Sequence, residues 1–125
     1  MLPRLIWLAL AGATGTLARF AVAEAVGRST AGTFPWGTFL VNTLGCAIFG
    51  LVWALSDTRS LVPAEVRGVV LVGFLGAFTT FSTYAFEAEQ MLSNGQWLRA
   101  GFHLVGQNVV GIAGVFLGIA MGRWF

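Results

Sequence analysis

The sequence predicts an all-α membrane protein, a single domain over residues 1–125 built from four transmembrane helices. Three observations predict it. Hydrophobic residues make up 57% of the 125 and charged residues only 10%, against roughly 45–50% and 25% in soluble domains. A soluble domain of this size is mostly surface, and seven Arg with five Asp or Glu residues cannot cover it. Second, the chain contains four runs of about 20 apolar residues, at 5–26, 36–55, 66–91 and 97–121. Third, the linkers at 27–35, 56–65 and 92–96 carry turn chemistry (Gly-Arg-Ser-Thr, Ser-Asp-Thr-Arg, Ser-Asn-Gly) and use up nearly all that remains. Any function therefore lies within the spans.

The first run is interrupted only by Arg19 and Glu24. It is too long for a signal-peptide core and lacks a convincing cleavage site, so it is expected to stay as a helix. The second carries Thr38 and Asn42 one helical turn apart. It also holds Cys46, the only cysteine, which excludes an internal disulfide and a cysteine-based metal site. The third run is longer and less uniform. Its stretch at 73–84, GFLGAFTTFSTY, combines two glycines, three threonines and a serine, a poor recipe for continuous helix. Two structures fit this composition. The backbone can unwind where it is buried in protein or lines a cavity, exposing carbonyls and amides as ion ligands. Alternatively, an intact helix can bond its hydroxyls back to the preceding turn. The fourth run places His103 and Gln107 on one face, with Asn108 beside them. Gly114, Gly118 and Gly122 recur there every four residues, the small-residue spacing that lets helices approach closely.

All seven cationic side chains are Arg, scattered singly, so no nucleic-acid footprint is present. Four spans put both termini on one side, with Arg4, Arg59, Arg67 and Arg123 there and Arg28 and Arg99 opposite. Arg19, near the far end of the first span, partly evens this count. So weak a positive-inside bias permits insertion both ways, and hence an antiparallel dual-topology homodimer. Catalytic patterns are missing. The only Asp, Asp57, lies in a loop, and no Ser-His-Asp set can form. His103 has no second His, Cys or carboxylate at ligand spacing and reads as an interhelical hydrogen-bonding group. Glu24, Glu87 and Glu89, near span ends, are expected to snorkel or pair. Enzyme activity is not expected.

Four short signatures carry a resemblance: GTLAR ending at Arg19, GTFLVN ending at Asn42, GFLGAFTTFST from 73 to 83, and Glu87 just beyond. In order, spacing and length the chain resembles the small bacterial fluoride channels, the Fluc or CrcB family, over nearly its whole extent. The resemblance implies an antiparallel dual-topology homodimer in the inner membrane, with two narrow pores through which fluoride leaves the cell passively, without nucleotide. It also implies a third helix broken in the membrane, the two breaks meeting around a structural sodium ion held by backbone carbonyls of Gly76 and Thr79. The pore aromatics map to Phe81 and Tyr84, the pore amide to Asn42, and a hydroxyl one turn earlier to Thr38. Arg19 and Glu87 match polar positions near the vestibule and third helix.

Two departures stand out. Tyr84 occupies a position usually held by Phe, and the fourth helix offers His103, Gln107 and Gly111 where hydroxyls are common. Fluoride holds its water strongly, so a pore must supply donors, here Asn42, Thr38, Ser82, Thr83, Gln107 and His103. The positive edge of a phenyl ring makes Phe81 a weak anion ligand. Two rivals remain: a four-span, proton-coupled exporter of cationic drugs, which wants a mid-span carboxylate, and a non-conducting interaction subunit, which leaves Asn42 and the 79–84 cluster unexplained.

Overall fold

The computed structural model describes residues 1–30, 32, 34–57 and 61–124, which form helices and no strand. Arg59, counted above on the terminus side, lies outside the described residues, as does Thr58 of the second turn. The chain runs through α1 (Leu2–Ser29), α2 (Trp36–Asp57), a segmented third span (Ala64–Ser93) and α6 (Trp97–Trp124), each long and apolar enough to cross a membrane. Pro3 sits in the first turn of α1, where its missing N–H costs nothing. Several ends run two or three residues past the apolar runs, because local polar groups extend the helix into the interface. At the end of α1, Ser29 Oγ and Thr30 Oγ1 donate to the Ala25 and Val26 carbonyls at 2.9 and 2.8 Å.

The third span is assembled from four pieces: α3 (Ala64–Gly68), a π-helical stretch (Val69–Leu75), α4 (Gly76–Phe78) and α5 (Phe81–Ser93). Between α4 and α5 two residues leave helical geometry, Thr79 at φ −81°, ψ 158° and Thr80 at φ −146°, ψ 112°. The span changes neighbours at this point. Its first half packs on α1 and its second half on α6, while α2 and α6 form the most extensive helix pair.

Two glycines make these contacts possible. A Cβ on Gly15 would collide with the Phe74 carbonyl, and one on Gly118 with the Ala47 carbonyl of α2. A small apolar core of Val41, Leu71, Leu75 and Phe78 fills the space where α2 meets the third span. The α5–α6 turn is a Schellman motif. Gly95 adopts φ 71°, its N–H bonds to the Leu92 carbonyl at 3.0 Å, and the Gln96 N–H bonds to that of Met91 at 2.8 Å.

The outer faces are apolar, as lipid requires. Leu17, Phe20, Val105, Ile112 and Phe116 are all exposed. The outer face of α5 differs, because Ser82 and Thr83 are exposed beside Phe81 in mid-span. Arg19 turns its Nη1 toward the Thr79 carbonyl, 3.5 Å away, a carbonyl that the backbone departure at Thr79–Thr80 leaves without its helical donor.

Candidate functional site: a polar seam across the spans

The seam begins with the backbone at Thr79–Thr80. In a continuous helix the Thr80 N–H would bond to the Gly76 carbonyl and the Thr83 N–H to that of Thr79. Neither does. The Thr80 N–H is given to Asn42 Oδ1 at 2.8 Å, and Asn42 Nδ2 returns a bond to the Thr80 carbonyl at 3.1 Å. One side-chain amide thus stands in for a neighbouring peptide, satisfying both polar groups of a buried residue. The Thr83 N–H goes instead to Thr80 Oγ1 at 3.3 Å, which caps α5. The carbonyls of Gly76 and Thr79 are therefore both without their helical donors.

These residues open outward. Gly76, Thr79, Thr80, Phe81 and Asn42 line an open cleft of 380 Å³ on the bundle's flank, floored by Gly45, Leu71 and Leu75. Phe81 stands at its rim, 79% exposed, with its ring tilted 51° against Tyr84 at 5.6 Å between centroids. Ser82 lies 3.4 Å from Thr80 Oγ1, and Thr83 Oγ1 accepts from that hydroxyl at 2.9 Å.

A second cluster lies behind the cleft, inside the bundle, where α2, α5 and α6 meet. Thr38 Oγ1 donates to Glu87 Oε1 at 2.6 Å, and Glu87 Oε2 is 3.3 Å from Nε2 of His103. The approach of these last two atoms is off the line of a hydrogen bond. The Tyr84 ring packs 4.9 Å from the imidazole, and the Phe34 ring meets it edge-on at 5.4 Å. The Tyr84 hydroxyl donates to the Leu104 carbonyl at 3.2 Å and accepts from Asn108 Nδ2 at 3.0 Å. Gln107 Nε2 reaches the Phe39 carbonyl at 3.4 Å, with its Oε1 buried and unpaired. From Glu87 a polar cavity of 270 Å³ leads outward past Gln90, Asn94 and Gln96.

Comparison with known proteins decides the family. The model described as CrcB-like protein, Camphor Resistance (CrcB), matches residues 6–119. A protein of Nitrosococcus oceani named fluoride-specific ion channel FluC is 52% identical over 123 residues, 98% of each chain. Proteins of the same name from Solidesulfovibrio magneticus and Nitratidesulfovibrio vulgaris (strain Miyazaki F) are 47% and 46% identical, the first covering 98% of both chains and the second 96% of this chain and 97% of its own. The chain belongs to the CrcB family.

In this CrcB chain the expected residues fall into two groups. Asn42, Phe81, Gly76 and Thr79 share the outward cleft, with Ser82 and Thr83 on the adjoining face. Thr38, Tyr84, Glu87, His103 and Gln107 gather in the inner cluster, and His103 and Gln107 are buried there. Sequence reasoning missed the approach of Glu87 to His103. The carboxylate that His103 lacks within its own helix arrives from another span, and spacing along one helix cannot reveal that. Asn108 was visible as a polar residue at depth, but its tie to Tyr84 was not. Glu24, away from the seam, pairs with Arg28 at 3.0 Å, the pairing expected of it.

Proposed function

We propose that this membrane protein is a fluoride-selective passive channel that releases cytoplasmic fluoride across the inner membrane as an antiparallel, dual-topology homodimer with two pores. The observation that carries this reading is membership of the CrcB family, with relatives near half identity over almost the full chain that are named as fluoride channels. The cation-exporter reading draws no support from those relatives.

The geometry supplies the chemistry. The two-residue departure at Thr79–Thr80 is the break of the third helix in this reading, and Asn42 is what holds it open. The 380 Å³ cleft and the exposed Ser82 and Thr83 need a cover in mid-membrane, because polar groups do not face lipid at that depth. A second, inverted copy is that cover. Anions passing between the copies meet the ring edge of Phe81, positive by its quadrupole, and the hydroxyls of Ser82 and Thr83. The amide of Asn42 fixes the wall beside them.

A structural sodium ion fits the residues present. Gly76 and Thr79 offer carbonyl oxygens without their helical donors, the ligand type that hard cations prefer; the Thr79 carbonyl also faces Arg19 Nη1 at 3.5 Å, a long contact that leaves a lone pair of that oxygen for an ion. Gly76 is exposed on the face where the copies would meet. Carbonyls of Gly76 and Thr79 from both copies would hold the ion, which would supply fixed positive charge at the centre of the assembly.

The test is fluoride efflux from liposomes holding the purified protein, read by a fluoride electrode. Rapid efflux down the gradient, no chloride flux and no need for a proton gradient are expected. Proton-coupled export of an organic cation without fluoride flux would overturn the reading.

A further inference from the structure

The chain has a single histidine, and it is fully buried in the second turn of α6. Neither ring nitrogen of His103 completes a hydrogen bond of good geometry, although the Tyr84 main chain lies close. Glu87 Oε2, 3.3 Å from Nε2, is equally buried and equally without a well-aligned donor. The other carboxylate oxygen is occupied by the Thr38 hydroxyl. A neutral imidazole has one N–H, and with it on Nε2 the carboxylate oxygen gains a donor, yet the pair still holds a buried negative charge that burial penalises. One further proton, shared within the pair, removes that charge. It also has a route, because the 270 Å³ polar cavity runs from Glu87 toward the end of the bundle.

The surroundings make this pair the decisive local charge. Among the described residues, the titratable groups that face His103 are Glu87 and Tyr84, both on α5. From α2 the hydroxyl of Thr38 approaches the carboxylate, and from the linker comes the Phe34 ring. On α6 itself Arg99 lies one turn earlier, exposed and turned to Gln96 at 3.5 Å.

We propose that His103 and Glu87 form a proton-binding site beside the anion route, and that the protonated pair is the conducting form. This rests on the fluoride-channel reading. Without the proton the pair carries one negative charge and repels an approaching anion. With it the pair is neutral and offers an N–H or O–H donor. Fluoride flux therefore falls as pH rises, whereas a neutral, purely packing histidine leaves it independent of pH.

Two measurements on the whole protein test this. Fluoride efflux from liposomes is followed between pH 6 and pH 8.5, with protein-free liposomes subtracted at every pH, for the wild type and for Glu87→Gln, which is neutral throughout. The wild-type flux is expected to drop about tenfold across this range, and Glu87→Gln to flatten the profile. In parallel, nitrogen NMR of protein labelled at histidine reports the single imidazole directly. Its ring nitrogens are expected to show a bonded, proton-exchanging imidazole in the wild type and to shift in Glu87→Gln.

A wild-type flux independent of pH would overturn the proposal, and so would imidazole signals identical in the two proteins. If Glu87→Gln fails to fold, the wild-type signals decide alone, since a neutral, unbonded imidazole at every pH would also overturn it. No fluoride flux at any pH would instead remove the channel reading, and the imidazole signals would still judge the pair.

Discussion

Asn42 is the residue on which most of the local structure turns. Its two bonds to Thr80 are the only ones among the described residues that link α2 to the extended backbone. Asn42→Ala would leave a buried N–H and a buried carbonyl unpaired, a loss of about 3 kcal/mol, visible as a lower unfolding temperature in detergent. Asn42→Asp keeps the reach and the acceptor but loses the donor to the Thr80 carbonyl, whereas Asn42→Gln keeps both groups on a longer arm; an unfolding temperature lower for Asp than for Gln shows that the donor matters more than reach, and the reverse order shows that reach matters more. Phe81 makes little contact within one copy, so Phe81→Ile should leave folding and dimerisation intact while cutting fluoride flux about tenfold or more, through loss of the ring edge. Tyr84 is different, since its hydroxyl bonds inward to α6. Tyr84→Phe should cost about 1 kcal/mol of stability and preserve flux, as seen by unfolding and efflux on one preparation. Polar residues in an apolar run announce themselves, and for that reason Thr38, Asn42 and the 79–84 cluster were legible from sequence. The meeting of Glu87 with His103 was not, because periodicity describes one helix at a time.

At the scale of elements, the apolar runs located all four spans, and the observed ends lie within two or three residues of them, with hydroxyls of Ser29 and Thr30 bonded back into the last turn of α1. The third span shows the limit of that reading. Its first half, VVLVGFL, is simply apolar, and nothing in the residue types signals π-helical winding there. The glycine- and threonine-rich stretch at 73–84 was conspicuous, but which two peptide units leave helical geometry depends on a partner, Asn42, from another span. Glycine at the α2–α6 contact was readable as a packing signal, and the structure gives it a cost. Gly118→Val would drive its side chain into the Ala47 carbonyl and lose about 3 kcal/mol, measurable as reduced yield of folded protein and a lower unfolding temperature. Gly95→Ala, which forces a Cβ into positive φ at the α5–α6 turn, should cost about 1–2 kcal/mol.

For the whole molecule, the proposal of an inverted pair rests on surface chemistry and on charge. Arg4, Arg59, Arg67 and Arg123 stand against Arg28 and Arg99, with Arg19 near the far end of the first span partly evening the count, a bias too weak to dictate one orientation. With Cys46 replaced by Ala, Asn94→Cys in the α5–α6 turn should react with an impermeant maleimide in about half of the copies in intact cells. Labelling of all copies, or of none, would show a single orientation. The bonds between Asn42 and Thr80 join residues 38 apart in sequence, so they can form only once both segments are inside the bilayer. During insertion the Thr80 peptide has no such partner, and the one place in hydrocarbon where its N–H and C=O find bonds is its own helix. The third segment is therefore expected to enter as continuous helix and to trade those bonds for the Asn42 amide once the two spans pack together.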